Sequence, residues 1–289
     1  MRLDDMRESD NVDDRRGQGY GGGGGFGPRM VMGGGGLGLV AVIVVSLLFG
    51  VDPSQLLGGG GPVPVQREAQ QQGSGCTDAD CAFARRVIGS AEDVWTPLLE
   101  QKGVRFTPAT LTVYDQVTPT ACGTGQSSAG PFYCPGDSNI YLDLAFYNEL
   151  SQRFGAAGDF ARAYVITHEY GHHIQNLMGN MERGEASARS EISARGATGA
   201  SVRTELQADC YAGVWTYRAN QQFQMLESGD VEEGLRAASA VGDDTLQKEG
   251  QGYVVPDSFT HGTSAQRMRW FRRGMAQGDM ESCDTSGSL

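Results

Sequence analysis

The run His168-Glu169-Tyr170-Gly171-His172 constrains this chain more than any other feature, because its spacing brings reactive groups together only on a helix. Residues four apart stack on one helix face, so His168 and His172 reach a single divalent ion through ring nitrogens at roughly 2.0 to 2.1 Å. Glu169 lies about 100° round from His168, where it holds a water on that ion without ligating it. The chain has four histidines, and three of them fall in this cluster. The flanks predict a helix from about Asp159 to Met178, with Asp159 as N-cap after Gly158 and Gly179 as its stop. Ala163, Ile166, Tyr170, Ile174 and Leu177 then form one apolar stripe, and His168 and His172 point nearly the opposite way, into a cleft. His173 sits at the edge of the stripe and reads as a packing or hydrogen-bonding histidine rather than a ligand.

The spacing is the H-E-x-x-H pattern of zinc peptidases; the plainer reading is a pair of core histidines on a helix. A catalytic zinc site takes three protein ligands and leaves a fourth position for water. The metzincin pattern requires Gly and His three and six residues beyond the second histidine, where this chain has Gln175 and Met178. The segment Arg203 to Gly213 offers another solution. As a helix it puts Glu205, Asp209, Ala212 and Thr216 on one face and Leu206, Cys210, Val214 and Tyr217 on a buried stripe. Glu205 is then the expected third ligand, and Asp209 the acceptor of the other N–H of a ligand histidine. Two alternatives stand beside this one: an ordinary solvated acidic face, or ligation by Asp209 itself.

These residues resemble the YpfJ-like family of neutral zinc metallopeptidases, similar in site layout to the gluzincins. The resemblance runs from Arg7-Glu8-Ser9-Asp10-Asn11-Val12-Asp13-Asp14-Arg15-Arg16, through Tyr133-Cys134-Pro135 and Asn139-Ile140-Tyr141-Leu142-Asp143, to Thr260-His261-Gly262-Thr263-Ser264-Ala265-Gln266-Arg267. It implies His168, His172 and Glu205 as zinc ligands and Glu169 as the catalytic carboxylate.

The expected chemistry is peptide hydrolysis. Zinc lowers the pKa of its water to roughly 7 and polarises the peptide carbonyl, while Glu169 takes the proton and passes it to the leaving amine. A developing oxyanion calls for a second donor, and His261 is the one histidine outside the motif. It precedes Thr263 and Gln266, a capping box for a helix through Arg267, Trp270 and Phe271. His261 is the first candidate for that role, with a structural histidine as the alternative; Arg267 is a weaker one.

The N-terminal quarter differs in kind. Of 43 glycines, 18 lie between Gly17 and Gly61, and so little apolar surface does not offset chain entropy. Residues 1 to 29 therefore read as a disordered tail. Residues 30 to 51 carry no charge and are about long enough to cross a bilayer; an uncleaved transmembrane anchor is favoured over a signal peptide because 29 residues of mixed charge precede it and no small-x-small cleavage site precedes Asp52. Arg2, Arg7, Arg15, Arg16 and Arg29 precede the span and the next basic residue is Arg67, which places the N-terminus in the cytoplasm and the remainder outside. All six cysteines follow the span, as an oxidising compartment favours. Closeness in sequence pairs Cys76 with Cys81 and Cys122 with Cys134, leaving Cys210 with Cys283; on its buried stripe Cys210 is also the first candidate for a free thiol.

Residues 52 to 75 read as a flexible linker and 76 to 289 as one zinc metallopeptidase domain. The expected fold is α+β, mostly helical and zincin-like, with a small sheet on the motif helix. Helices are expected near 79 to 101, 144 to 153, 202 to 223, 230 to 247 and 264 to 277, strands near 111 to 114 and 139 to 142, and a mobile flap from Gly179 to Ala200. The strand near Asn139, or the segment Ser127 to Cys134, is a candidate edge for an extended substrate, with an ordinary structural strand as the alternative. Residues 76 to 289 hold 17 basic against 27 acidic side chains, which excludes a phosphate backbone as partner. The expected partners are thus a peptide or protein substrate and a membrane. The competing reading is a catalytically silent binding or scaffolding module on the same fold.

Overall fold

In the computed structural model, which describes residues 1–17, 76–181 and 195–289, apolar periodicity becomes a set of helices packed beside a four-stranded sheet. Helix α1 (Ala79–Gln101) starts where Asp78 accepts from the Cys81 N–H, and it buries Val87, Ile88, Trp95 and Leu99. Strand β1 (Val12–Asp14) pairs in parallel with β2 (Thr110–Val113), and β2 in parallel with β6 (Asn139–Leu142). The short strand β5 (Phe132–Cys134) closes the order β1-β2-β6-β5 as an antiparallel edge. A separate hairpin joins β3 (Val117–Thr120) to β4 (Gly123–Gln126). Sequence periodicity missed β1, β3 and β4, all of them short or interrupted by polar residues and Pro119, whereas β5 falls within the segment Ser127 to Cys134 expected as a candidate edge.

Helix α2 (Phe146–Gln152) leads into the motif helix α3 (Asp159–Leu177). Asp159 is not its cap. Gly158 occupies the cap position, and Glu233 from across the fold accepts the Phe160 N–H at 3.2 Å. Helix α4 (Ala200–Phe223) crosses α3 and lies along α7 (Ser264–Gln277). The approach of α4 and α7 depends on glycine: a Cβ on Gly213 would meet the Phe271 carbonyl oxygen at 2.2 Å, and one on Gly274 the Cys210 oxygen at 1.9 Å. The expected single helix over 230 to 247 is two, α5 (Asp230–Ala240) and α6 (Asp243–Gln251), because the chain turns at Gly242 so that Asp243 folds back onto the loop before α7. The capping box expected at Thr263 and Gln266 is present. Mostly helical α+β architecture is therefore observed, with Trp95, Phe160, Tyr164, Trp215 and Phe271 in the shared core.

The pairs Cys76–Cys81, Cys122–Cys134 and Cys210–Cys283 all form, so Cys210 is not free. The disordered tail expected over residues 1 to 29 is corrected for its first 17. Leu3, Met6 and Ser9 are buried, β1 lies in the sheet, and the charges that read as solvation find partners in the fold: Arg7 meets Glu92 at 2.6 Å, and Arg16 meets Asp78 at 2.6 Å. Among the described residues no helix is long and apolar enough to cross a membrane. The expected anchor at 30 to 51, the linker at 52 to 75 and most of the flap (182 to 194) lie outside the described residues.

Candidate metal centre

Helix α3 carries His168 and His172 one turn apart, and α4 crosses it closely enough to add Glu205. Gly171 makes this crossing possible, since a Cβ there would meet the Ala208 carbonyl oxygen at 2.9 Å. One ligand atom from each of His168, His172 and Glu205 lies within 4.8 Å of the others. His168 Nε2 is 3.1 Å from one Glu205 oxygen and His172 Nε2 is 3.5 Å from the other. Bonds of roughly 2.0 to 2.1 Å in tetrahedral zinc geometry put ligand atoms about 3.3 Å apart. The donor set fits that ion.

The orientation of both imidazoles is imposed from behind. Asp209, fully buried, accepts the Nδ1–H of His168 at 2.8 Å. Gln175 donates its amide to the Thr204 carbonyl at 2.7 Å, so its oxygen faces His172 and accepts the Nδ1–H at 2.8 Å. Each histidine thus turns Nε2 toward Glu205, as a ligand histidine must. Asp209 also accepts from Tyr164 and takes both arms of the Arg267 guanidinium at 2.8 and 2.9 Å. Arg267 is 3% exposed; besides its fork on Asp209 it donates to the Val241 carbonyl, and its Nη2 lies 3.3 and 3.4 Å from the two ring nitrogens of His168, so the fold holds it against Asp209 and His168.

Electrostatics follow from this packing. Burial disfavours the His168 imidazolium, but Asp209 and Glu205 outweigh it and push the pKa up to about 9. Burial works to raise Glu205 as well, yet His172 and His168 hold it well below the usual carboxylate range. Burial lifts Glu169 above that range despite both histidines. Glu169 is therefore the carboxylate here with raised proton affinity, beside one fixed as an anion.

His261 stands just before α7. Its Nδ1–H donates to Asp243 at 3.1 Å, while the other Asp243 oxygen accepts the backbone N–H groups of Thr260, His261 and Gly262 at 2.7, 2.7 and 3.0 Å. Burial lowers the His261 pKa, but Asp243 and the nearby Glu205 leave it raised. His173 takes the structural role expected of it: it donates Nε2–H to the Thr107 carbonyl at 2.7 Å and accepts from the Tyr133 hydroxyl at 3.1 Å, tying β5 to α3. Three residues escaped the sequence reading. Gln175 was legible, three positions from His172 on a helix, and so was Tyr164, one turn before His168; Asp243 carried no local signal.

A family model described as "Putative neutral zinc metallopeptidase" matches residues 1–286. The chain is 46% identical over 288 residues, 99% of each chain, to "Uncharacterized protein YpfJ" of Escherichia coli strain K12. It is 41% identical over 221 residues, 72% of each chain, to "Uncharacterized protein Mb2605" of Mycobacterium bovis. No solved structure matches it. With nearly its whole length matched by the model and by a relative of the same size, the chain belongs to the neutral zinc metallopeptidase family.

Proposed function

We propose that the chain is a zinc-dependent peptidase with a zincin-like catalytic domain, acting on peptides or proteins in an oxidising compartment outside the cytoplasm. The observation that carries this reading is the convergence of three donor atoms at zinc-like separations, two of them on histidines whose tautomers Asp209 and Gln175 fix, beside a buried glutamate of raised pKa. His168, His172 and Glu205 hold the ion. Zinc bound there supplies a Lewis acid for the scissile carbonyl and lowers the pKa of water. Glu169 takes the proton from the attacking water and delivers it to the leaving amine, the task for which its raised proton affinity suits it. His261, held by Asp243, donates a hydrogen bond to the oxygen on which charge develops. Edge strand β5, tied to α3 through Tyr133 and His173, offers the side turned away from β6 to an extended substrate. The three disulfides support the compartment.

Cleavage of casein and of a peptide library by the purified protein tests this. Turnover should vanish with a chelator and return with zinc. Stoichiometric zinc with no cleavage of any substrate would establish the silent binding module instead.

A further inference from the structure

The N-terminal arm and the domain it packs on lie on opposite sides of the apolar stretch at residues 30 to 51, and this sets a topological constraint. The arm is built into the fold at several points. Its strand β1 pairs residue by residue with β2, Val12 opposite Leu111 and Asp14 opposite Val113. Glu92 of α1, 5% exposed, accepts hydrogen bonds from Arg7, Ser9 and Asn11 at 2.6, 2.6 and 2.8 Å. Without the arm that carboxylate loses all three donors. Backbone contact is equally close: the Ser9 N–H donates to the Arg85 carbonyl at 3.0 Å, and a Cβ on Gly89 would meet the Arg7 carbonyl oxygen at 2.4 Å.

The two ends of the intervening chain are held together. Arg16 reaches Asp78 at 2.6 Å, and a carboxylate oxygen of Asp14 lies within 4.8 Å of the sulfurs of Cys76 and Cys81. A bilayer's hydrocarbon core is about 30 Å thick, so groups in direct contact do not face each other across it. The arginine bias that argued for crossing also loses its footing. Arg7 is paired with Glu92 and Asp93, Arg15 with Asp13, and Arg16 with Asp14 and Asp78, so three of the five arginines before the stretch are accounted for by the fold. The family model likewise begins at residue 1 and includes the arm.

We propose that residues 1–17 and residues 76–289 occupy one compartment, as two parts of one folded body. An odd number of membrane crossings between them is then excluded, and any contact of residues 30 to 51 with a membrane begins and ends on the same side as the peptidase site. The sidedness does not rest on the peptidase reading, since a silent module with this fold carries the same arm.

The test uses the full chain in producing cells, with one epitope inserted after Gly17 or one added after Leu289, probed by a membrane-impermeant protease before and after permeabilisation. The two epitopes should share the same accessibility, whether both reached or both shielded. One reached in intact cells and the other only after permeabilisation would overturn the proposal. A second measurement needs no insertion. Asn11→Ala and Ser9→Ala remove donors from Glu92 and should lower the temperature at which the domain becomes protease-sensitive, both in the purified protein and inside intact cells. A shift in the purified protein with none in cells, or no shift in either, would equally refute it.

Discussion

Arg267→Met removes both fork contacts on Asp209 while keeping most of the side-chain volume in a site that is 3% exposed. It leaves a fully buried carboxylate with only the Tyr164 hydroxyl and the His168 N–H as donors. Breaking a buried pair from one side costs about 3 to 5 kcal/mol, which in a domain of this size lowers the melting temperature by roughly 6 to 20 °C. Total stabilities of roughly 5 to 15 kcal/mol leave much of the protein folded at room temperature. The second effect is on the metal. With Asp209 no longer clamped, His168 loses its fixed orientation, and zinc affinity should fall roughly 10 to 100-fold. Arg267→Lys restores charge without the fork and should recover more stability than zinc affinity. The pH dependence has a defined sign. Burial raises the Asp209 pKa, but Arg267 and His168 hold it below its ordinary value, so its stabilisation is full above the unfolded pKa and disappears as pH falls through the folded one. In Arg267→Met the folded pKa rises, and acid unfolding of the zinc-free protein should begin at higher pH. Thermal melts, chelator competition for zinc and acid titration monitored by circular dichroism measure the three effects. Stability lost as described with zinc affinity unchanged would refute the claim that Arg267 acts through Asp209 on the metal site.

Three further substitutions separate the proposed roles. Glu169→Gln should keep near-normal zinc by mass and lose roughly 10² to 10⁴-fold in turnover; equal activity would remove Glu169 from the mechanism. Glu205→Ala should abolish bound zinc at neutral pH, whereas Asp209→Ala should weaken it roughly 10 to 100-fold; the reverse pattern by chelator titration would exchange the two roles. His261→Ala should reduce kcat roughly 10² to 10³-fold with little change in KM or zinc content, and a purely KM effect would make His261 a substrate-binding residue instead.

What was legible in the sequence was what a helix repeats. The face of α3 follows from the i, i+4 spacing of His168 and His172, and the face of α4 from the same arithmetic applied to Glu205 and Asp209. Both helices appear within two residues of the expected boundaries, and the donor atoms meet where they cross. What lay beyond reading was decided across the fold. The arm's charges look like solvation until Glu92 and Asp78 are placed opposite them, 85 and 62 residues away in the chain. Asp243 looks like one more acid in an acidic helix until Gly242 turns it beneath His261. Arg267 is the weaker candidate for an oxyanion donor in the sequence; Asp209 on α4 takes its guanidinium as a bidentate partner.

The Cys210–Cys283 bond has a consequence in the order of synthesis. Cys210 follows Asp209 directly on α4, and its partner lies 73 residues later. His261 and Arg267 emerge in the same late stretch. A nascent chain that has just exposed residue 213 already carries His168, Glu169, His172 and Glu205, yet Asp209 lacks the Arg267 fork, His261 and its partner Asp243 are still to come, and the helix bearing Glu205 is not yet stapled down. The finished site therefore waits for the last tenth of the chain and for an oxidant, so on the proposed peptidase reading the chain passes through its own assembly before its full complement of active-site groups is in place.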